Sequence, residues 1–151
     1  MKKIFCLETE WVQTVHDVKK KSTVLPLLEF LKNAENVEYT FRQVATSSDF
    51  SYYIDHLYHQ SYKSFDNIYL CFHGSPRQIH FANGDISDLL AFAECNEGIF
   101  NGKNVHFGSC STLRMTEEEI LKFKSLTKAK MITGYNSVLN NFQKNEGSCF
   151  H

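Results

Sequence analysis

Short apolar runs of strand length, separated by segments of helical periodicity, recur along this chain, and that alternation narrows the fold more than any other feature. Ile4-Phe5-Cys6-Leu7 is the first run and suits a central strand. From Ser22 or Thr23, with Pro26 tolerable in a first turn, Leu25, Leu28, Phe30 and Leu31 recur at roughly helical spacing up to Asn33. Val37 to Val44 alternates Val37, Tyr39 and Phe41 with Glu38, Thr40 and Arg42, the pattern of a half-buried strand near an edge. Ser48 or Asp49 can cap a helix in which Tyr53, Leu57 and Tyr58 share a face, running to about Lys63.

Ile68-Tyr69-Leu70-Cys71-Phe72 is the next buried run and stops at His73-Gly74. Gln78 to Phe81 and Ile86 flank Asn83-Gly84, a hairpin signal because both positions tolerate positive φ. A helix over about Ser87 to Ala93 precedes the run Asn104-Val105-His106-Phe107, which stops at Gly108-Ser109-Cys110-Ser111. Thr116-Glu117-Glu118-Glu119 fits a capping box opening a helix through Ile120, Leu121 and Phe123, and Ala129 to Thr133 is a further strand closed by Gly134. The alternation predicts an α/β, three-layer sandwich with a mostly parallel central sheet. The 151 residues form one domain, spanning 1–151, without internal repeat, linker or low-complexity segment.

Composition excludes several function classes. A formal charge of -1 gives no basic surface for nucleic acid, and Lys19-Lys20-Lys21 is the only basic run. No stretch approaches the roughly 20 apolar residues of a membrane span. Met1-Lys2-Lys3 runs into an apolar segment too short for a signal peptide before Glu8 and Glu10, so a cytoplasmic location is expected. The five cysteines are widely spaced with no Cys-x-x-Cys pair, which points to neither a disulfide framework nor a structural zinc site. Gly98, Gly102 and Gly108 fit no phosphate-loop pattern, so no cofactor is expected. Ser75, Ser109 and Ser111 lack the Gly-x-Ser-x-Gly context of a serine hydrolase. His56 and His59 stand three apart on a predicted helix without an obvious third ligand, and His106 is read as a satisfied boundary histidine. Cys6 and Cys71 lie inside strand runs as packing residues.

Two reactive side chains remain. His73 and Cys110 each follow a buried strand run, and ligands of open α/β sheets collect outside the carboxyl ends of the strands. The order strand, His-Gly, hairpin, helix, strand, then a cysteine among small residues resembles the caspase-like cysteine peptidases, the group that includes caspases, gingipains, legumains, separases and CHAT domains. The likeness covers about Ile4 to Gly134. It is to the wider group, because Gly108 stands where caspases carry a glutamine.

The resemblance implies a caspase-like cysteine endopeptidase, a hydrolase with Cys110 as nucleophile and His73 as general acid and base. The N–H groups of Gly74 and Cys110 would form the oxyanion hole, and the substrate would be a peptide or protein. Residues after the first central strand help line the specificity pocket in such peptidases, which here means Glu8, Glu10 and Trp11 and cleavage after arginine or lysine. The alternatives are a catalytically inactive caspase-like module that binds a peptide or protein partner, and a flavodoxin-like binding domain. Only Tyr135 to His151 follow Gly134, short for the group. Three options stay open: an incomplete pocket, one completed by a partner chain or additional domain, or a truncated sequence.

Overall fold

A computed structural model describes residues 1–9, 23–109 and 111–134. In chain order the elements are β1 (Lys2–Thr9), α1 (Leu25–Glu35), β2 (Val37–Val44), α2 (Ser47–Ile54), β3 (Asn67–Cys71), β4 (His73–Ser75), β5 (Gln78–His80), β6 (Ile86–Asp88), α3 (Leu89–Cys95), β7 (Asn104–Phe107), α4 (Glu117–Thr127) and β8 (Met131–Gly134). Five strands form a parallel sheet in the order β2-β1-β3-β7-β8, and β4-β5-β6 form a small antiparallel sheet. The expected α/β architecture with a mostly parallel sheet is therefore present. Among the described residues no helix is long and apolar enough to cross a membrane.

The strand order dictates where the helices lie. The chain steps one way from β1 to β2 and the other way from β2 to β3, β7 and β8. Right-handed crossovers then send α1 to one face and the later helices to the opposite face. The packing agrees. Phe50 and Ile54 of α2, Leu89 and Ala93 of α3 and Phe123 of α4 share one core with Phe5, Leu7, Leu70 and Phe107. Leu28 of α1 packs on the other face with Cys6 and Cys71. Strands covered on both faces carry apolar side chains in both directions, which is why the runs at β1 and β3 are nearly continuous rather than alternating.

Several boundaries moved from the sequence reading. The helix expected to reach Lys63 ends at Ile54 and continues as two 3₁₀ turns, Asp55–Tyr58 and Gln60–Tyr62, separated by the extended His59 (ψ 145°). Its cap is Thr46, whose hydroxyl accepts from the Asp49 N–H, rather than Ser48 or Asp49. The helix expected from Ser87 starts at Leu89, because Ser87 and Asp88 belong to β6 and the Asp88 carboxylate caps α3. At Asn83-Gly84 a hairpin does form, but only Gly84 has positive φ (94°) and the loop runs from Phe81 to Asp85. Thr116 caps α4 as expected, accepting from the Glu119 N–H.

Candidate functional site

β3 and β7 are adjacent parallel strands with Leu70 paired to Phe107. Three residues beyond each member of that pair stand His73 and Cys110. Phe72 fixes the exit from β3: it is fully buried, with its ring edge-on to Phe50 at 5.5 Å and to Phe81 at 5.4 Å. The chain is thereby pinned at the residue before His73. Cys110 lies outside the described residues, as do Glu10 and Trp11, so the site is built from His73, Gly74, Glu8 and the residues that bracket the cysteine in sequence.

The loops leaving β3 and β7 are stitched together. Gly108 N–H donates to the Leu70 carbonyl (2.8 Å), Arg77 N–H to the Thr112 carbonyl (3.0 Å), and the Thr112 hydroxyl to the Gln78 carbonyl (3.2 Å). With its one hydrogen committed there, Thr112 Oγ1 accepts from the buried Ser109 hydroxyl at 2.6 Å. Ser111, on the far side of Cys110, takes the left-handed conformation with φ 57°. Gly108 sits close under Tyr69: a Cβ there would lie 3.1 Å from the Tyr69 hydroxyl and 3.3 Å from its ring, so the ring would have to shift slightly to admit it.

Arg77 is the node of this network. It occupies the second position of the tight turn between β4 and β5 with φ 65°, after Pro76. Its carbonyl accepts from Leu89 N–H (2.9 Å), and its guanidinium donates to Asp88 (2.7 Å) and Glu119 (3.1 Å). Those two carboxylates, by hydrogen bonding to it, hold the Arg77 guanidinium above its ordinary range. The sequence reading contained neither β4 nor this turn. Pro-Arg is a weaker hairpin signal than Asn-Gly, and its partners come from other elements.

His73 opens β4 opposite His80 on β5, Gly74 lies opposite Ile79, and Ser75 opposite Gln78. The two-residue period of strands puts His73, Ser75, Gln78 and His80 on one face and Ile79, in the core, on the other. Ser75 donates to Gln78 Oε1 (2.9 Å) and meets His80 Nε2 at 2.7 Å, which assigns the His80 proton to Nε2. The hairpin thus presents a half-buried polar face that begins with His73.

Glu8 sits at the carboxyl end of β1, paired with Cys71 of β3, and is fully buried. One carboxylate oxygen accepts from the Thr23 hydroxyl (2.6 Å) and the other from the Val24 N–H (2.8 Å). It therefore holds the approach to α1 against the sheet, a contact between distant sequence positions that residue type alone does not signal.

The remaining candidates fall into structural roles. Cys6 and Cys71 are buried; a hydrogen bond to Cys71 and then burial push the Cys6 thiol far above its ordinary value, which leaves it protonated and unreactive. His106 stacks on Tyr69 at 5.0 Å and its Nδ1 meets the Thr133 hydroxyl at 2.8 Å, matching the boundary role expected of it. His56 Nδ1 meets the Tyr52 carbonyl at 2.9 Å, and its ring lies 6.2 Å from that of His59. Among the described residues no group of three or more His, Cys, Asp or Glu side chains could hold a metal ion.

No curated protein matches the chain in sequence. A family of unknown function, DUF6642, matches it over residues 1–148, and the chain belongs to that family.

Proposed function

We propose that this chain is a caspase-like cysteine peptidase domain with Cys110 as nucleophile and His73 as its acid and base. The observation that supports the reading is the Leu70–Phe107 register: in the sequence His73 and Cys110 each stand three residues beyond one member of that pair, and Gly108 and Thr112, on either side of Cys110 in sequence, bond to Leu70 and Arg77. The order β2-β1-β3-β7-β8 corresponds to the flavodoxin-like order as well. The three-stranded hairpin sheet that starts at His73, inserted between β3 and α3, favours the peptidase reading over that one.

In the proposed reaction the Cys110 thiolate attacks the scissile carbonyl carbon, and the carbonyl oxygen becomes an oxyanion facing the N–H groups of Gly74 and Cys110. The C–N bond breaks as His73 gives its proton to the departing amine, leaving a thioester. Water, losing a proton to His73, adds to the thioester, and the C–S bond breaks to release the carboxylic acid and regenerate the Cys110 thiolate beside protonated His73. With both Glu8 oxygens engaged by Thr23 and Val24, we assign Glu8 to anchoring and the expected preference for arginine or lysine to Glu10, with Trp11 beside it. A partner chain or additional domain completing the pocket belongs to the same proposal.

The test is labelling of the full chain with an acyloxymethyl ketone peptide, read by intact mass and peptide mapping. Cys110 is expected to react ahead of the exposed Cys95, with labelling lost in Cys110→Ala and slowed in His73→Ala. Labelling that follows thiol exposure alone overturns the catalytic reading and favours a non-catalytic module that binds a peptide.

A further inference from the structure

The five-stranded sheet ends in two strands of different character. β8 has four residues, whereas β2 has eight, contains no proline and pairs with β1 residue for residue from Lys2 with Val37 to Thr9 with Val44. Among the described residues no strand pairs with the outer edge of β2. A regular edge about 26 Å long, with no bulge to twist it away, is a template for another strand.

Side-chain contacts show how β2 is oriented. Arg42 Nη1 donates to the Phe41 carbonyl at 2.7 Å in exposed surroundings. A carbonyl inside the ladder to β1 would be out of reach of a guanidinium, so that of Phe41 is turned to the open edge. The two-residue period then turns the N–H and C=O groups of Val37, Tyr39, Phe41 and Gln43 the same way. The Tyr39 phenol donates to Glu29 of α1, and Tyr39 and Phe41 pack against the Leu28 cluster. Glu38, Thr40 and Arg42 therefore lie on the face opposite α1.

Glu38 and Arg42 are both exposed, carry opposite charges and stand two residues either side of Thr40. Edge charges of one sign would repel a second copy, whereas this arrangement complements itself under a two-fold rotation. We propose that β2 pairs antiparallel with β2 of a second copy of this chain, with the two-fold axis at Thr40. Glu38 of each copy then faces Arg42 of the other, and the Lys3–Glu38 ion pair, at 3.6 Å, continues the alternation of charge onto β1. Thr40 meets Thr40 in a pair without ladder bonds, the class in which side chains approach most closely, and Tyr39 of one copy exchanges ladder bonds with Phe41 of the other. That register needs the odd-numbered residues to face the edge, as the Arg42 contact places them. Arg42 gives up the Phe41 carbonyl to the second copy's Tyr39 N–H and takes the second copy's Glu38 in exchange. The two five-stranded sheets become one continuous sheet.

The experiment uses the full chain and sedimentation velocity. Strand pairing alone buries less than a standard interface, so the dimer is expected at about 0.1 mM chain and dissociates on dilution. Glu38→Arg and Arg42→Glu each set like charges against one another across the axis and are expected to weaken dimerisation at least about tenfold. An equimolar mixture of the two variants is expected to regain the dimer, because the pairing of 38 with 42 gives each variant a complementary partner in the other. Under mild oxidation Thr40→Cys is expected to give an interchain disulfide between the two positions 40, mapped by mass spectrometry. A monomer at every concentration, a dimer indifferent to both charge changes, or no recovery on mixing overturns the inference. Should either charge variant fail to fold, the cross-link at position 40 decides the same point by its presence or absence.

Discussion

Removing the Glu8 carboxylate tests whether it anchors the start of α1 or stands ready for a ligand. Both oxygens accept, from Thr23 Oγ1 at 2.6 Å and Val24 N at 2.8 Å, and the side chain is fully buried. Hydrogen bonds to a charged group contribute about 1.5–3 kcal/mol each, and an unsatisfied donor costs about 1–3 kcal/mol. Thr23 is exposed and finds water once the carboxylate is gone, whereas the Val24 N–H is half-buried and does not readily do so. Relief of carboxylate burial offsets part of the loss. The net cost of Glu8→Ala is then about 2–3 kcal/mol. Glu8→Gln keeps an acceptor for Val24 and can turn its amide toward the Thr23 oxygen, so it loses only the charge assistance, about 1 kcal/mol. Urea unfolding followed by circular dichroism measures both, and a cycle with Thr23→Val should show coupling of about 1 kcal/mol. A Glu8→Ala cost below about 0.5 kcal/mol, or no coupling to Thr23, refutes the anchoring role. If the chain cleaves after basic residues, Glu8→Gln should leave that preference unchanged while Glu10→Gln reduces it.

Other consequences follow from single contacts. Burial holds His106 below its ordinary value, so as pH falls the unfolded chain protonates there first. The stability that its neutral ring contributes is full above about pH 6.5 and is lost as pH drops below that value toward the lowered one. His106→Asn should flatten the unfolding free energy between about pH 7.5 and 5.5, and an unchanged slope counts against this assignment. At Gly134 an added Cβ would lie 2.8 Å from Leu113 Cδ1 and 3.0 Å from the Phe107 carbonyl oxygen. Gly134→Ala should cost about 1–3 kcal/mol in urea unfolding, with only the Leu113 part relieved by adding Leu113→Ala. The buried Lys103 ammonium donates to the carbonyls of Phe65 (2.7 Å) and Tyr62 (3.1 Å). Lys103→Met leaves those carbonyls short of a donor and should destabilise by about 2 kcal/mol; a neutral result would mean that water replaces the ammonium.

Local pattern carried the elements whose stability is local. Val37–Val44 is a strand at the sheet edge with the limits its alternation implies, and Thr116 caps α4 because Thr and Glu stand three apart. Where the partner is distant, the pattern was silent. Nothing between Ser47 and Lys63 marks His59 as extended, and the break is set by the cluster of His56, Tyr62 and Phe65 packing onto Phe5. For the candidate site, His73 and Gly74 were placed at a strand end by the apolar run before them. The roles of Arg77, Thr112 and Ser109 as stitches between loops required the fold, since each is an ordinary polar residue in sequence and gains meaning only from the strand order. Glu8 illustrates the opposite case, in which the position at the carboxyl end of β1 was legible and the engagement of its carboxylate was not.

The Arg77 turn shows why such stitching matters for chemistry at two strand ends. Parallel pairing fixes β3 against β7 only as far as Leu70 and Phe107, and in the sequence two further residues separate each from the proposed catalytic residue. Without constraint, that length of loop would let the two groups wander by more than the tolerance of a reacting pair. The chain removes the freedom with bonds running from the His73 loop to the Cys110 loop, at Leu70, Arg77 and Gln78 on one side and Gly108 and Thr112 on the other. Arg77 holds a left-handed conformation that glycine would adopt more easily. A glycine would forfeit the ties to Asp88 and Glu119, which lock the same turn to α3 and α4. Local strain at one turn residue is thus accepted where four separate elements meet. It leaves His73 and the residues that bracket Cys110 in sequence, Ser109 and Ser111, on a rigid frame, which the proposed peptidase reading would require.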